Sequence, residues 1–166
     1  MKNWQIIIPF LFLIIFILLN TGCKKNKLLY PASDIQITST SPYSILPTSN
    51  SFSEIEDGVI TIRLLNSIPC TLVSYDLTYE TVLGEPIENL SITQIPVELP
   101  LSAEGSEESL TIKPYTQQLL NLFMNSSSSI SPVRSTVVLH FKDVNENEIV
   151  RTASFLLYKY EASSSE

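Results

Sequence analysis

The sequence predicts an all-β body, a single antiparallel β-sandwich of about seven strands with one short crossing helix, placed behind an N-terminal signal or anchor segment. Three observations carry this. From about Asp34 onward, short stretches rich in Thr, Ile, Val and Tyr alternate with clusters of Pro, Ser, Asn and Gly, which is the pattern of strands and turns. Several of these stretches keep their apolar residues on one parity, the period of a half-buried strand. Ahead of them, a long apolar run ends in a small residue, a cysteine and three lysines.

The N-terminal element comes first. Lys2 precedes a run from Ile6 to Leu19 in which only Pro9 is not strongly apolar, followed by Asn20, Thr21, Gly22 and Cys23. A charged start, an apolar stretch and a small residue at a cut site form a secretory signal pattern. The stretch from Trp4 to Gly22 also approaches the ~20 residues of a membrane-spanning helix, so an uncleaved anchor competes with a cleaved signal. Lys24, Lys25 and Lys27 outweigh Lys2, and basic flanks favour the cytoplasmic side. An uncleaved helix therefore points the body inward.

The junction resembles the signal of bacterial lipoproteins, in which a cysteine directly follows a small residue. Gly22 and Cys23 match that pattern; three residues before the cysteine, where the family prefers leucine, stands Asn20, with Leu19 one step earlier. The resemblance covers only the first two dozen residues. It implies cleavage after Gly22 and a mature chain that starts at Cys23, with diacylglycerol on the sulfur, acylated by chains such as palmitate. Each buried methylene contributes about 0.8 kcal/mol, so two or more chains hold stably. Lys24, in place of the aspartate that marks inner-membrane retention in well-studied Gram-negative bacteria, points to the outer membrane if the source is of that class.

Charge separates tether from body. From Cys23 onward nine basic residues face seventeen acidic ones, a net charge of −8; beyond Lys27 six face seventeen, or −11. An acidic body repels phosphate backbones, so nucleic acid is not an expected partner. Residues 24–33 are polar and aperiodic and read as a linker, reaching at most ~33–36 Å when extended. The chain thus divides into a signal peptide (1–22), a lipidated cysteine with its tether (23–33), a β-sandwich (34–160) and a polar tail (161–166).

The strands follow in order. "DIQITST" from Asp34 opens the body, and "VITIRLL" turns Ile60, Ile62 and Leu64 inward. In "CTLVSYDLTYE", parity sets Val73, Tyr75, Leu77 and Tyr79 against Ser74, Asp76, Thr78 and Glu80. "TQIPVELPL" and "SLTIKP" come next. "VRSTVVLHF" places Val133, Val137, Leu139 and Phe141 on one side and Arg134, Thr136 and His140 on the other. The last stretch, "EIVRTASFLLYKY", has apolar residues on both parities, the mark of a central strand or of one that changes face at a bulge. "YTQQLLNLFMN" sets Leu119, Leu120 and Phe123 at helical spacing and predicts a short helix that closes one end of the core; no helix continues through the later Pro132.

These proportions resemble immunoglobulin-like and fibronectin type III-like domains, without the immunoglobulin cysteine pair or core tryptophan, since Trp4 lies in the signal. A looser resemblance runs from "LNSIPCTLVSYDLTYETVLGEPI" through "IPVELPLSAEGSEESLTI" to the helix, with an N-x-x-P turn between strands. That order is similar to the water-stress (late embryogenesis abundant group 2) sandwiches, including a crossing helix before a long final hairpin.

Candidate chemistry is sparse. In "DVNENE", Asp143, Asn145 and Asn147 repeat the spacing that opens a calcium loop, but Glu148 and Ser154 stand where glycine and a bidentate glutamate are required. A hairpin between the last two strands accounts for these residues better. Glu104, Glu107 and Glu108 in "AEGSEE" read as a solvated loop. His140 is the sole histidine, too few for a zinc site or a histidine-based hydrolase. With Cys23 lipidated, Cys70 stands alone; it reads as a small partly buried core filler rather than a reactive or dimerising thiol. Gly58, Gly84 and Gly105 read as turn or strand-end residues.

No catalytic, metal or cofactor site is expected, and the chain reads as a non-enzyme. The sites it does predict are the lipidation of Cys23 and the cleavage at Gly22. The leading reading is a lipid-anchored protein of the cell envelope, facing the periplasm or the exterior, whose sandwich binds or supports through strand edges or end loops. The alternative is an accessory subunit of an envelope assembly or secretion complex with an envelope protein as partner. A third, an envelope hydrolase, requires a cleft with two close carboxylates of mismatched titration. The oligomeric state is left open.

Overall fold

The computed structural model describes residues 31–47, 51–87, 89–125 and 131–159. Gly22, Cys23, the signal, most of the tether and the polar tail lie outside the described residues.

Among the described residues eight strands form two sheets: β1 (Ile35–Ser41), β2 (Ser44–Ile45), β3 (Gly58–Leu64), β4 (Cys70–Thr81), β5 (Ile92–Leu101), β6 (Glu107–Ile112), β7 (Val133–Asp143) and β8 (Glu148–Leu157). The smaller sheet has the order β1-β3-β6 and the larger β2-β8-β7-β4-β5. All pairings are antiparallel except β2 with β8, which is parallel. The chain is therefore all-β, with two sheets that share one apolar core.

Period two decides which side chains fill that core. In β3, Ile60, Ile62 and Leu64 are fully buried, and in β7 so are Val133, Val137, Leu139 and Phe141. The last strand resolves its ambiguity simply. Ile149, Ala153, Phe155 and Leu157 face inward, and β8 pairs with β7 without a register shift, so no bulge changes its face. Leu156, on the outer parity, is half-buried and pairs with Ser44 of β2, the short strand that the sequence pattern did not reveal.

Strand β4 corrects the parity reading at one residue. Cys70 and Leu72 are inward, then the register slips between Leu72 and Ser74 in both of its pairings. Val73 is the extra residue, and it is 43% exposed, whereas Leu77 and Tyr79 are buried. A bulge inserts one unpaired residue and so exchanges the two faces beyond it.

Helix α1 (Gln117–Asn125) closes the core as expected. Thr116 caps it, its hydroxyl accepting the Leu119 backbone N–H at 3.1 Å, which satisfies one of the free donors of the first turn. Leu119, Leu120 and Phe123 are buried, and Phe123 meets Tyr115 edge to face with 6.4 Å between centroids. The Tyr115 hydroxyl reaches the carbonyl of Tyr158 at 2.7 Å and lies 3.1 Å from that of Ile45. The buried Tyr79 hydroxyl donates to the Pro114 carbonyl at 3.0 Å.

Gly58 sits at a strand end, as its reading allows. It begins β3 against the face of β8, where an added Cβ meets the Phe155 ring at 2.6 Å. Gly84 and Gly105 do sit in turns, with φ of 85° and 76°, a region that glycine enters without steric cost. The edge strand β5 carries Pro96 and Pro100 on one parity. Proline removes the amide donors that an outside strand needs, which protects an edge from unwanted pairing.

Candidate functional site

The outer face of the larger sheet carries two adjoining depressions that share Val73 and Lys142. The polar one is built around His140. Leu139 and Phe141 point into the core, so alternation turns His140 outward, directly across from Ser74 of β4. Two residues further along β4, on the same outer face, stands Asp76. Its Oδ2 lies 2.9 Å from His140 Nε2, and its Oδ1 accepts the backbone N–H of Gln94 at 2.7 Å.

That last bond holds an unusual backbone. Gln94 has φ of 56°, a left-handed conformation that costs a residue with a Cβ about 1–2 kcal/mol. The carboxylate of Asp76 stabilises it by taking its N–H. The same bond, with His140 adding to it against a smaller opposing effect of burial, holds the Asp76 carboxyl below its ordinary range. Strained backbone gathers where a structure is held for a purpose. Here a strained strand, a carboxylate and the only histidine of the sequence are coupled in one depression of about 640 Å³, bordered also by Thr93 and Glu148. Chemically the imidazole has two states. When neutral it donates from Nε2 to Asp76 and leaves Nδ1 as an acceptor; when protonated it donates from both nitrogens.

The second depression, about 530 Å³, is apolar: Pro69, Val73, Val97, Pro100, Leu101 and Val144 line it. Beneath it lie Cys70, 4% exposed, and Asp143, 5% exposed. Burial pushes the Cys70 thiol up, Ser33 opposes this with a hydrogen bond, and the Asp143 charge adds to it. The cysteine is a core residue, as its composition-level reading expects, and more deeply buried than that reading has it.

Asp143 belongs to the hairpin that joins β7 to β8, not to a calcium loop. Its Oδ1 accepts the backbone N–H groups of Asn145 and Asn147, both at 2.8 Å; its Oδ2 accepts the Asn147 side-chain amide at 2.9 Å and the Ser33 N–H at 3.2 Å. Burial alone raises such a carboxyl, and these hydrogen bonds outweigh it, so Asp143 sits below the ordinary carboxylate range. Among the described residues no group of three or more His, Cys, Asp or Glu is placed to hold a metal ion.

The bond to Ser33 reveals a feature that the sequence reading missed. Ser33 is 4% exposed, and its hydroxyl donates to the Ile68 carbonyl at 2.7 Å. Asn66 completes the attachment: its Oδ1 accepts the N–H groups of Asp34 and Ile68 at 3.1 and 3.3 Å, and its Nδ2 donates to the Ala32 carbonyl at 3.0 Å. Leu65 N–H reaches the Asp34 carbonyl at 2.8 Å, and Val144 N–H the Pro69 carbonyl at 3.2 Å. These bonds gather residues 32–34, 65–69 and 143–144 into one end of the body, called here the leading end. The N-x-x-P spacing from Asn66 to Pro69 was the available signal. Among the described residues no helix is long and apolar enough to cross a membrane.

No family model matches this chain. No curated protein matches it. Among solved structures it is similar to the putative ApaA protein from Bordetella pertussis, at 17% identity over 76% of this chain and 94% of that one, with a TM-score of 0.42. It is also similar to the sporulation control protein Spo0M from Bacillus subtilis, at 12% identity over 76% of this chain and 49% of that one, with a TM-score of 0.42. The alkylpurine DNA glycosylase AlkC from Pseudomonas fluorescens gives 15% identity, 79% and 32% coverage and a TM-score of 0.35. Likeness at this level carries no argument about what the chain does.

Proposed function

We propose that this chain is a lipid-anchored protein of the cell envelope whose immunoglobulin-like sandwich serves as a non-catalytic binding or structural module. The observation that carries the reading is the abrupt start of the folded body. Ser33 is already buried and held by Asp143 and Ile68, ten residues after the Gly22–Cys23 junction that resembles a lipoprotein signal. A short segment that opens with Lys24, Lys25, Asn26 and Lys27 and joins a lipid-bearing cysteine to a firmly attached first residue is what a tether requires. Lys24 favours an outer-membrane anchor if the bacterium is Gram-negative.

Two features support the finer fold. The hairpins β4-β5 and β7-β8 lie within the larger sheet, while each other connection between consecutive strands crosses from one sheet to the other. The helix before the final hairpin agrees with the water-stress sandwich order. For binding, the polar depression around His140 is one surface that presents hydrogen-bonding groups in a fixed arrangement, and a phosphate backbone is not its expected partner, given the acidic body.

The test is metabolic labelling with radioactive palmitate. Wild-type protein incorporates label and Cys23→Ala does not; equal labelling, or an intact Met1 with unmodified sulfur at position 23 by mass spectrometry, overturns the reading. The second reading, an accessory subunit, is favoured by one observation: Leu83 is 86% exposed beside Val82 at the turn after β4, an apolar tip suited to a protein partner. Recovery of one stoichiometric partner from envelope extracts selects it, whereas retained glycan or lipid selects the first.

A further inference from the structure

We infer that the body docks on the lipid bilayer surface through its leading end, with Leu65 and Val144 among the headgroups and the apolar cleft beside Val144 open toward them; this rests on the lipid-anchored reading. The first support is where the chain comes in. The bonds of Ser33, Asp34 and Asn66 bring Leu65, Pro69 and Val144 together around the residue to which the tether leads. The tether therefore joins the body at this end.

The second support is chemical. Leu65 is 41% exposed and Val144 67% exposed, both beside strand ends, and Val144 also walls the apolar cleft of about 530 Å³ with Pro69, Pro100 and Leu101. Apolar side chains that project from a loop enter the headgroup and acyl boundary as interfacial anchors do. The exposed tip at Leu83 follows the other end of β4 and faces away in this arrangement.

The third support is effective concentration. Ten residues from Cys23 to Ser33 span at most ~33–36 Å, so a lipid-held body meets the surface at an effective concentration in the millimolar range. A contact with a dissociation constant of about 1 mM, negligible between free partners, is then roughly half occupied. Two apolar tips suffice for that.

Charge does not oppose the contact. Asp34 lies 3.7 Å from Arg151 and Glu107 3.9 Å from Arg63, Glu98 and Lys142 both line the cleft, and Lys24, Lys25 and Lys27 stand in the tether beside the anchor. Within a Debye length of about 8 Å at physiological ionic strength these opposite charges offset one another, and the apolar tips set the contact.

The full-length lipidated protein, purified and reconstituted into phosphatidylcholine vesicles, tests the inference. Leu65→Cys, Val144→Cys and Leu83→Cys are labelled in turn with bimane, and brominated phosphatidylcholine serves as a contact quencher; the buried Cys70 is controlled by labelling the wild type. Docking predicts quenching at 65 and 144 at least ~3-fold greater than at 83, the contrast expected when one end alone is interfacial. Protein that floats with the vesicles but shows equal quenching at the three positions, or more at 83, overturns the docking and leaves the anchor intact. Protein that does not float overturns the anchor and the docking with it.

Discussion

Gly58→Ala tests a close approach between the two sheets. An ideal Cβ at Gly58 lies 2.6, 2.7 and 3.3 Å from Cε1, Cζ and Cδ1 of Phe155, whereas carbon atoms prefer ~3.5–4.0 Å. The ring has to retreat by roughly 1 Å, and it is fully buried within the shared core. Overpacking of this kind costs about 1–3 kcal/mol. The loss of chain entropy in the unfolded state offsets about 0.4–1 kcal/mol where the backbone tolerates alanine. The expected net loss is about 1–2 kcal/mol, read as a lower urea midpoint with unchanged slope by far-ultraviolet circular dichroism. Phe155→Leu makes room, so the double variant is less destabilised than the sum of the singles by ~1 kcal/mol, the coupling expected of residues in contact. Gly105→Ala, where nothing lies within 4 Å of the added atom, shows no coupling to position 155. If Gly58→Ala is as stable as wild type, or its effect adds simply to that of Phe155→Leu, the close approach is not what selects glycine.

Two further predictions concern buried ionisable groups. Asp143 is held below its ordinary range in the folded state, against about 3.9 in an unfolded chain. Its contribution is therefore fully present above that value and is lost as the pH falls through it toward the folded one. The urea midpoint should decline below about pH 4, less steeply in Asp143→Asn, which also loses stability at pH 7; identical slopes refute the assignment. Cys70 should resist maleimide at neutral pH and react only with global unfolding, because it is buried and its thiol is raised by that burial; rapid labelling of the native protein contradicts this.

Much of the fold was legible because alternation is a local property. The chain is all-β with one helix, as the alternation of β-rich and turn-rich stretches implies, and the inward sets of β3 and β7 are those that parity predicts. Two departures show where local reading stops. Val73 breaks parity because the slip at Leu72–Ser74 is defined by both neighbouring strands, and no property of "CTLVSYDLTYE" marks it. Ser44 and Ile45 form a strand only because β8 offers an edge to pair with.

The same division holds for the site. Sequence alone turned His140 outward and gave Asp143 to a hairpin, since face follows from period two and asparagine-rich segments favour turns. It could not bring Asp76 to His140, 64 residues away, or Ser33 to Asp143, 110 residues away, nor could it set Gly58 against Phe155. Those meetings depend on register and on how one sheet faces the other, which the packing of the whole core fixes and no single segment encodes.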